Sequence, residues 1–493
     1  MSDTSAQDLK RGFWWLGGAS VVMRAIGLVA SGVVLEKFTG VDMGVATVVW
    51  TAMVIVETLS GLGVGSHIMQ ARELEEKRVL SLFWFATGMG VVLALVTVAV
   101  SPLLAWVYDQ PELVPLLAAA SLKLVFVGVA LVPLHLALRT LRFHVQSISE
   151  TTAAFFEAGT TIGLALLGYG AWALVWSGTV RGAVLCATVL MIAPVRVRFA
   201  FAWRDIGESV RFGAGLAVAS LVDFTSKNVE RLIVPAILGL GVLGVYRAAS
   251  DFAMVPVSAV LAVVIRAGFP VLARAAHRSG DLVSAYYRNA QYTLYLVGPI
   301  LVFFFFAADP ILRVLGEGRW ATGLPWMRVL CAAALLRAVS EGFAQLYVAA
   351  GRPDMVLRDN LLRLLAVVVL MGGGLLAFGD RLGAMVIAIA WVVAQLVGLF
   401  WQWSFARAVS SIRLADYART LMRPGAAIAF AATSMALLRW MGAFEWTVLS
   451  SAVARVAVEV AAMAAATLAL YLGFVSVVLG HRLRDLIPKG ASA

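Results

Sequence analysis

Apolar residues in this chain come in long, nearly unbroken blocks, divided by short segments rich in Arg, Lys, Asp, Glu and Pro. Crossing ~30 Å of hydrocarbon takes about 20 predominantly apolar residues in a helix that rises ~1.5 Å per residue. Fourteen blocks suit that length, near 13–35, 43–65, 80–107, 113–138, 150–168, 171–193, 212–238, 241–265, 291–308, 323–349, 360–378, 382–405, 424–441 and 452–479. They are continuous rather than alternating, which excludes a lipid-facing barrel. Helices also satisfy their own backbone hydrogen bonds, which lipid cannot do. The pattern predicts an all-α membrane protein of about 14 transmembrane helices. Lys10 and Arg11 precede the first block as they would in a cleaved leader. The block's length, Arg24 at its middle and the lack of a small-residue cleavage site make it the first spanning helix instead.

Composition agrees. Of 493 residues, 61% are hydrophobic and 14% charged, against ~45–50% and ~25% in soluble chains. That excludes a soluble enzyme, a disordered chain and a secreted disulfide scaffold. Cys186 and Cys331 both lie in apolar runs and form neither a disulfide framework nor a metal site.

The net charge of +11 is a topology signal. With the N-terminus in the cytoplasm, the inner segments hold 24 Lys/Arg and the outer loops four, namely Lys37, Arg313, Arg319 and Arg381. This asymmetry obeys the positive-inside rule with both termini cytoplasmic, and it removes the reason to invoke nucleic acid. Trp14, Trp15, Trp172, Trp320 and Trp446 near block ends suit interfacial belts. The longest outer loop, around 309–322, has about fourteen residues, so no extramembrane domain is expected.

Chemistry-bearing motifs are absent. No Gly-Lys pair provides a P-loop, no Asp-x-Asp a metal–nucleotide-sugar site, and no His-Glu a zincin helix. The five histidines are scattered, and no cofactor or metal is expected. Transport is the default class.

The chain is internally doubled at an offset near 200. Thr39–Ala46 (TGVDMGVA) matches Gly239–Tyr246 (GLGVLGVY), and Gly170-Ala171 matches Gly383-Ala384. The expected organisation is an N-terminal lobe at 1–205, a C-terminal lobe at 206–410, and two further helices with a cytoplasmic tail at 411–493. Six helices per copy give both copies one orientation, and hence a pseudo-two-fold axis along the membrane normal.

Ionisable residues at bilayer depth are costly and face a cavity or a partner. The blocks contain 11 basic and 8 acidic residues. Arg363 and Arg439 lie near block ends, where they can snorkel, and Arg337–Glu341 and Arg455–Glu459 have i,i+4 pair spacing. Arg24 has no nearby carboxylate on its own helix. Asp223, Lys227, Glu230 and Arg231 share one stripe of helix 7, while Arg247 and Asp251 are i,i+4 on helix 8. Lys123 and Arg181 are mid-span in helices 4 and 6, with Glu57 and Glu157 as counter-charges. The expectation is a hydrated, net cationic cavity for an anionic substrate, lined by Arg24, Lys227, Arg231, Arg247, Lys123 and Arg181. Glu57, Asp223, Glu230 and Asp251 are candidates for ion coupling. The competing reading is a neutralised network that only fixes helix packing.

Several stretches resemble the polysaccharide-transporter (lipid-linked oligosaccharide flippase) branch of the multidrug/oligosaccharidyl-lipid/polysaccharide exporter superfamily. They are Thr140–Phe143 (TLRF), Tyr169–Val175 (YGAWALV), Val210–Leu216 (VRFGAGL), Asn228–Phe252 (NVERLIVPAILGLGVLGVYRAASDF), Phe269–Ala275 (FPVLARA), Gly316–Leu330 (GEGRWATGLPWMRVL) and Tyr347–Asp354 (YVAAGRPD). The chain departs from the family pattern at Glu230, where Asp is usual, and at Pro235, near a customary Gly; the proline is expected to kink helix 7.

The resemblance implies a V-shaped bundle of two six-helix lobes around a central cavity involving helices 1, 2, 7 and 8, with helices 13 and 14 accompanying a lipid tail. It implies a polyprenyl-pyrophosphate-linked oligosaccharide as substrate, carried to the outer leaflet by alternating access. The expected setting is the bacterial inner membrane, beside membrane lipids, a glycan polymerase and glycosyltransferases. The rivals are a multidrug-type cation antiporter, which would favour net acidic intramembrane charge, a glycan polymerase or ligase, which would need a sizeable outer loop, and a scaffold in a glycan-assembly complex.

Overall fold

A computed structural model describes residues 22–23, 26–27, 29–61, 63–70, 74–194, 198, 201–276, 281–314, 318–410, 412–444 and 452–477. Among them there is helix and no strand. Residues 29–37 end the first helix, α1. There follow α2 (Gly40–Ser60), α3 (Val64–Gln70), α4 (Glu76–Val107), α5 (Leu113–Arg139), α6 (Phe143–Leu166), α7 (Ala171–Ile192), α8 (Trp203–Asn228) and α9 (Glu230–Leu238). The rest are α10 (Leu240–Ala276), α11 (Asp281–Val314), α12 (Leu324–Ala349), α13 (Pro353–Leu382), α14 (Met385–Val409), α15 (Leu414–Trp440) and α16 (Ala452–Val477).

Eleven of these helices are long and apolar enough to cross a membrane. Three expected spans are not among them. The first lies largely outside the described residues, and Arg24 with it. The fifth, α6, carries Gln146, Glu150 and Glu157, and the seventh is α8–α9 with its four charges. Both described helices that fall short carry several charged or polar side chains within the expected span. This is an all-α, multi-pass membrane protein.

The chain divides into two compact units, Met1–Gly244 and Val245–Ala493. In the first, α4 packs on α5, α6 on α7 and α5 on α7. In the second, α11 packs on α12, α13 on α14 and α12 on α14, the same order one repeat later, and α15 and α16 pack on α11.

The doubling read from sequence recurs in the backbone. Gly170 has φ 52°, ψ −132° and Gly383 has φ 51°, ψ −132°, a conformation for which glycine is suited because it has no Cβ. The turn after α5 pairs Thr140 N with Leu136 O, Leu141 N with Leu138 O and Arg142 N with Ala137 O. The turn after α12 repeats it with Ala350 to Leu346, Gly351 to Val348 and Arg352 to Tyr347. Leu141 (φ 57°) occupies the left-handed position that Gly351 (φ 74°) takes in the second copy.

Both ends of α2 are fixed locally. Thr39 and Asp42 form a capping box: Thr39 Oγ1 accepts from Asp42 N at 3.1 Å, and Asp42 Oδ2 accepts from Thr39 N at 3.0 Å. There α2 crosses the start of α10 so closely that a Cβ on Gly44 would strike the Leu240 carbonyl, and one on Gly244 the Gly40 carbonyl. At the other end, a Cβ on Gly63 (φ +72°) would strike the Cα of Gly213 on α8.

The regular hydrogen bonding of helix 7 lapses at Val229, between α8 and α9, rather than at Pro235, while Val229 keeps a right-handed helical backbone (φ −60°, ψ −28°). Proline lacks the amide that would bond the carbonyl four residues back, and its ring crowds that carbonyl, so the disturbance lies on its N-terminal side. The stripe expected from Asp223 to Arg231 is accordingly split across two helices.

Candidate functional site

Within the first unit two oppositely charged pairs lie at mid-span. Lys123 Nζ of α5 donates to Glu57 Oε2 of α2 at 2.8 Å. Arg181 Nη1 of α7 donates to Glu157 Oε2 of α6 at 2.6 Å. These two pairs are neighbours, because a Cβ added to Gly182 would lie 2.9 Å from Lys123 Cγ. Glycine there lets α7 run directly over the lysine stem. Lys123 and Arg181 each lie ten residues, about 15 Å, into their helices, near the midplane of ~30 Å of hydrocarbon.

On α8 and α9, Lys227 Nζ meets Asp223 Oδ1 at 3.0 Å, one turn back, and Arg231 Nε lies 3.8 Å from Glu230 Oε1. The Arg231 guanidinium stacks over the ring of Trp50 on α2, 4.9 Å from its centre, with the Phe224 ring centred 6.1 Å from that of Trp50. Trp50 was not singled out from the sequence. Its signal was a tryptophan in the middle of a span rather than at its end, seven residues from Glu57 and therefore on the same helix face.

In the second unit Arg247 Nε meets Asp251 Oδ2 at 2.7 Å and Arg337 Nε lies 3.5 Å from Glu341 Oε1, both i,i+4 as expected. Arg363 and Arg439 do not follow the snorkelling expectation. Arg363 is buried, its Nη2 2.9 Å from Asp359 Oδ2, and Asp359 also accepts from Trp401 Nε1 and Gln402 Nε2. Arg439 Nη2 meets Asp309 Oδ2 at 2.5 Å, and its Nη1 donates to Phe306 O. Asp309 and Asp359 each lie one residue outside an apolar block, so the basic excess counted inside the blocks overstated the local charge.

Of the residues expected to line the cavity, Lys123 and Arg181 are brought together, Lys227 and Arg231 lie on adjoining helices of the same unit, and Arg247 lies in the other unit. Each of these five has a carboxylate within 4.0 Å. Their exposure differs: 23% for Lys227 and 43% for its partner Asp223, 21% for Arg247 with 37% for Asp251, but only 13% for Arg231 and 5% for Glu230. Among the described residues no group of three or more His, Cys, Asp or Glu side chains could hold a metal ion.

A family model described as polysaccharide biosynthesis protein matches residues 38–324, more than half the chain. The chain belongs to the polysaccharide biosynthesis protein family. The resemblance read from its motifs is borne out. Its relatives include the lipopolysaccharide biosynthesis protein WzxC of Escherichia coli (strain K12), 25% identical over 76% of this chain and 77% of that protein. Another is the succinoglycan biosynthesis transport protein ExoT of Rhizobium meliloti (strain 1021), 24% identical over 73% of each. The solved structure of lipid II flippase MurJ in its inward closed conformation superposes with a TM-score of 0.74 at 13% identity, over 95% of this chain and 99% of that one. This member of the polysaccharide biosynthesis protein family therefore has the flippase fold and is a membrane transporter of polysaccharide biosynthesis.

Proposed function

We propose that the protein carries a polyprenyl-diphosphate-linked oligosaccharide from the cytoplasmic to the outer leaflet of the bacterial inner membrane by alternating access. Both termini are cytoplasmic, and the transporter works beside glycosyltransferases that build the lipid-linked sugar and a polymerase that consumes it. The observation that carries this reading is the set of part-exposed charged side chains within apolar stretches of α8 and α10: Lys227 with Asp223, and Arg247 with Asp251. Charge at this depth is too costly to face hydrocarbon, so these groups face water inside the membrane.

A diphosphate head needs cationic partners there, because an unpaired anion at low dielectric is prohibitively unstable. Lys227, Arg231 and Arg247, together with Arg24 outside the described residues, supply them. Each of the three described cations rests on a carboxylate before substrate arrives, so the diphosphate takes the cation by exchange with Asp223, Glu230 or Asp251. Protonation of those carboxylates lowers the cost of the exchange and couples binding to an ion gradient. The lipid tail stays in the bilayer.

The test is flipping of a labelled polyprenyl-diphosphate oligosaccharide in proteoliposomes by Lys227→Met, Arg231→Met and Arg247→Met, singly and combined. Each lost charge-assisted contact is expected to lower the rate about tenfold or more. Undiminished flipping by the triple variant at normal membrane level overturns the assignment.

A further inference from the structure

The charged groups of the first unit differ in kind from those assigned to the diphosphate, and the difference points to the other half of the substrate. Glu57–Lys123 joins α2 to α5 at 2.8 Å and Glu157–Arg181 joins α6 to α7 at 2.6 Å, two neutral pairs on packed helices. A neutral set has little to offer a diphosphate. It suits a polyol, whose hydroxyls donate to carboxylate oxygens while its oxygens accept from ammonium and guanidinium groups.

On the Glu57 face of α2, two turns earlier, stands Trp50. It lies ten residues, about 15 Å, from the start of α2, at a depth where tryptophan is not expected, since this residue favours the interfaces. Yet Trp50 is 43% exposed, and the Arg231 guanidinium stacks on its ring. That guanidinium is only 13% exposed, so the ring covers the cation on one side while much of its own surface stays accessible. An aromatic ring beside paired acceptors and donors presents what a pyranose requires, a flat apolar surface for its C–H face and polar groups for its rim.

Resting on the flippase reading above, we infer that Trp50, Glu57 and Lys123, extended by Glu157 and Arg181, form a saccharide subsite. Arg231, stacked on Trp50, marks the junction at which sugar gives way to diphosphate. The bound head group thereby has a direction: its lipid-proximal phosphates lie at α8–α9, and its first sugar lies over α2 toward α5. Gly182 keeps Lys123 in register by leaving its stem undisplaced.

The experiment compares binding of undecaprenyl diphosphate with binding of undecaprenyl diphosphate bearing one hexose, using the full chain in nanodiscs. The wild type is expected to favour the glycosylated lipid by about five- to tenfold, the order of one stacked ring. In Trp50→Leu and in Glu57→Gln/Lys123→Met that ratio falls to near one, through weaker binding of the glycosylated lipid. Trp50→Phe retains part of it. Gly182→Ala, which moves the Lys123 stem and removes no charge, reduces it too. Lys227→Met weakens both lipids together and keeps the ratio. A ratio unchanged in the Trp50 and Glu57/Lys123 variants overturns the subsite, as does a parallel loss for both lipids. If the wild type binds both lipids equally, the subsite falls and the flippase reading stands; if it binds neither, both fall.

Discussion

Gly44 and Gly244 stand in reciprocal positions: a Cβ on the first would enter the carbonyl of Leu240, and a Cβ on the second would enter the carbonyl of Gly40. Four residues separate the glycine from the carbonyl in each copy, and two hundred separate the copies. The repeat that makes the two segments alike in sequence therefore also makes them cross symmetrically, since two related glycine-bearing helix starts can pack against one another with the same contact made twice. Alanine at either position must push the same two backbones apart. Gly44→Ala and Gly244→Ala are each expected to lower the midpoint of thermal unfolding in detergent by several degrees. The double variant should lose clearly less than the sum, because one displacement relieves both clashes. Additive losses would show that the two contacts are independent.

Gly170 and Gly383 share one backbone conformation but not one environment. A side chain at either must adopt a strained φ/ψ, which costs about 1–3 kcal/mol. At Gly170 a Cβ also strikes the carboxylate of Asp42, while at Gly383 nothing lies within 4 Å. Gly170→Ala should therefore destabilise more than Gly383→Ala and should disturb the Thr39–Asp42 cap. Thermal unfolding of the two variants side by side measures the difference, and equal losses would assign the whole cost to backbone strain.

What the sequence discloses follows from how far apart the interacting residues are. The spans are legible because hydrocarbon thickness fixes their length, and the pairs Asp223–Lys227, Arg247–Asp251 and Arg337–Glu341 because helical spacing brings i and i+4 together. Glu57 and Glu157 are recognisable as counter-charges, but which cation each meets depends on helix packing across 66 and 24 residues. Asp309 and Asp359 escape notice because each lies one residue beyond an apolar block, and a count of charge inside the blocks omits them. Trp50 is hidden in another way: inside an apolar block an aromatic residue looks like more lipid-facing surface, and only its contact with Arg231 distinguishes it.

The Glu57–Lys123 pair allows a test of its own energetics. Removing one partner leaves an uncompensated charge within the membrane, whereas removing both leaves none. The groups are partly exposed, 31% and 23%, so each single change, Glu57→Gln or Lys123→Met, should cost about 1–3 kcal/mol, less than a fully buried pair. The double variant should recover part of that loss. Stability in detergent of the four proteins of this cycle gives the coupling directly, and a double variant as damaged as the sum of the singles would mean the two side chains do not depend on one another.

Asp309 holds two arginines from one carboxylate: Arg313 Nε at 2.6 Å from Oδ1, one turn along α11, and Arg439 Nη2 at 2.5 Å from Oδ2, at the end of α15. The exposed Arg313 contributes little, as solvated pairs do. Arg439 is the link that matters, because it also donates to the carbonyl of Phe306 and so fastens α15 to α11. Asp309→Asn keeps the shape and removes the charge, leaving Arg439 with its backbone partner alone. The expected result is a locally loosened α15, seen as faster hydrogen exchange or proteolysis at its Arg439 end while α12–α14 keep their protection. Asp309→Glu should restore much of the protection if the carboxylate is what holds the helix, and Arg313→Ala should leave it intact. Equal loosening in Arg313→Ala would move the anchoring role to the exposed pair.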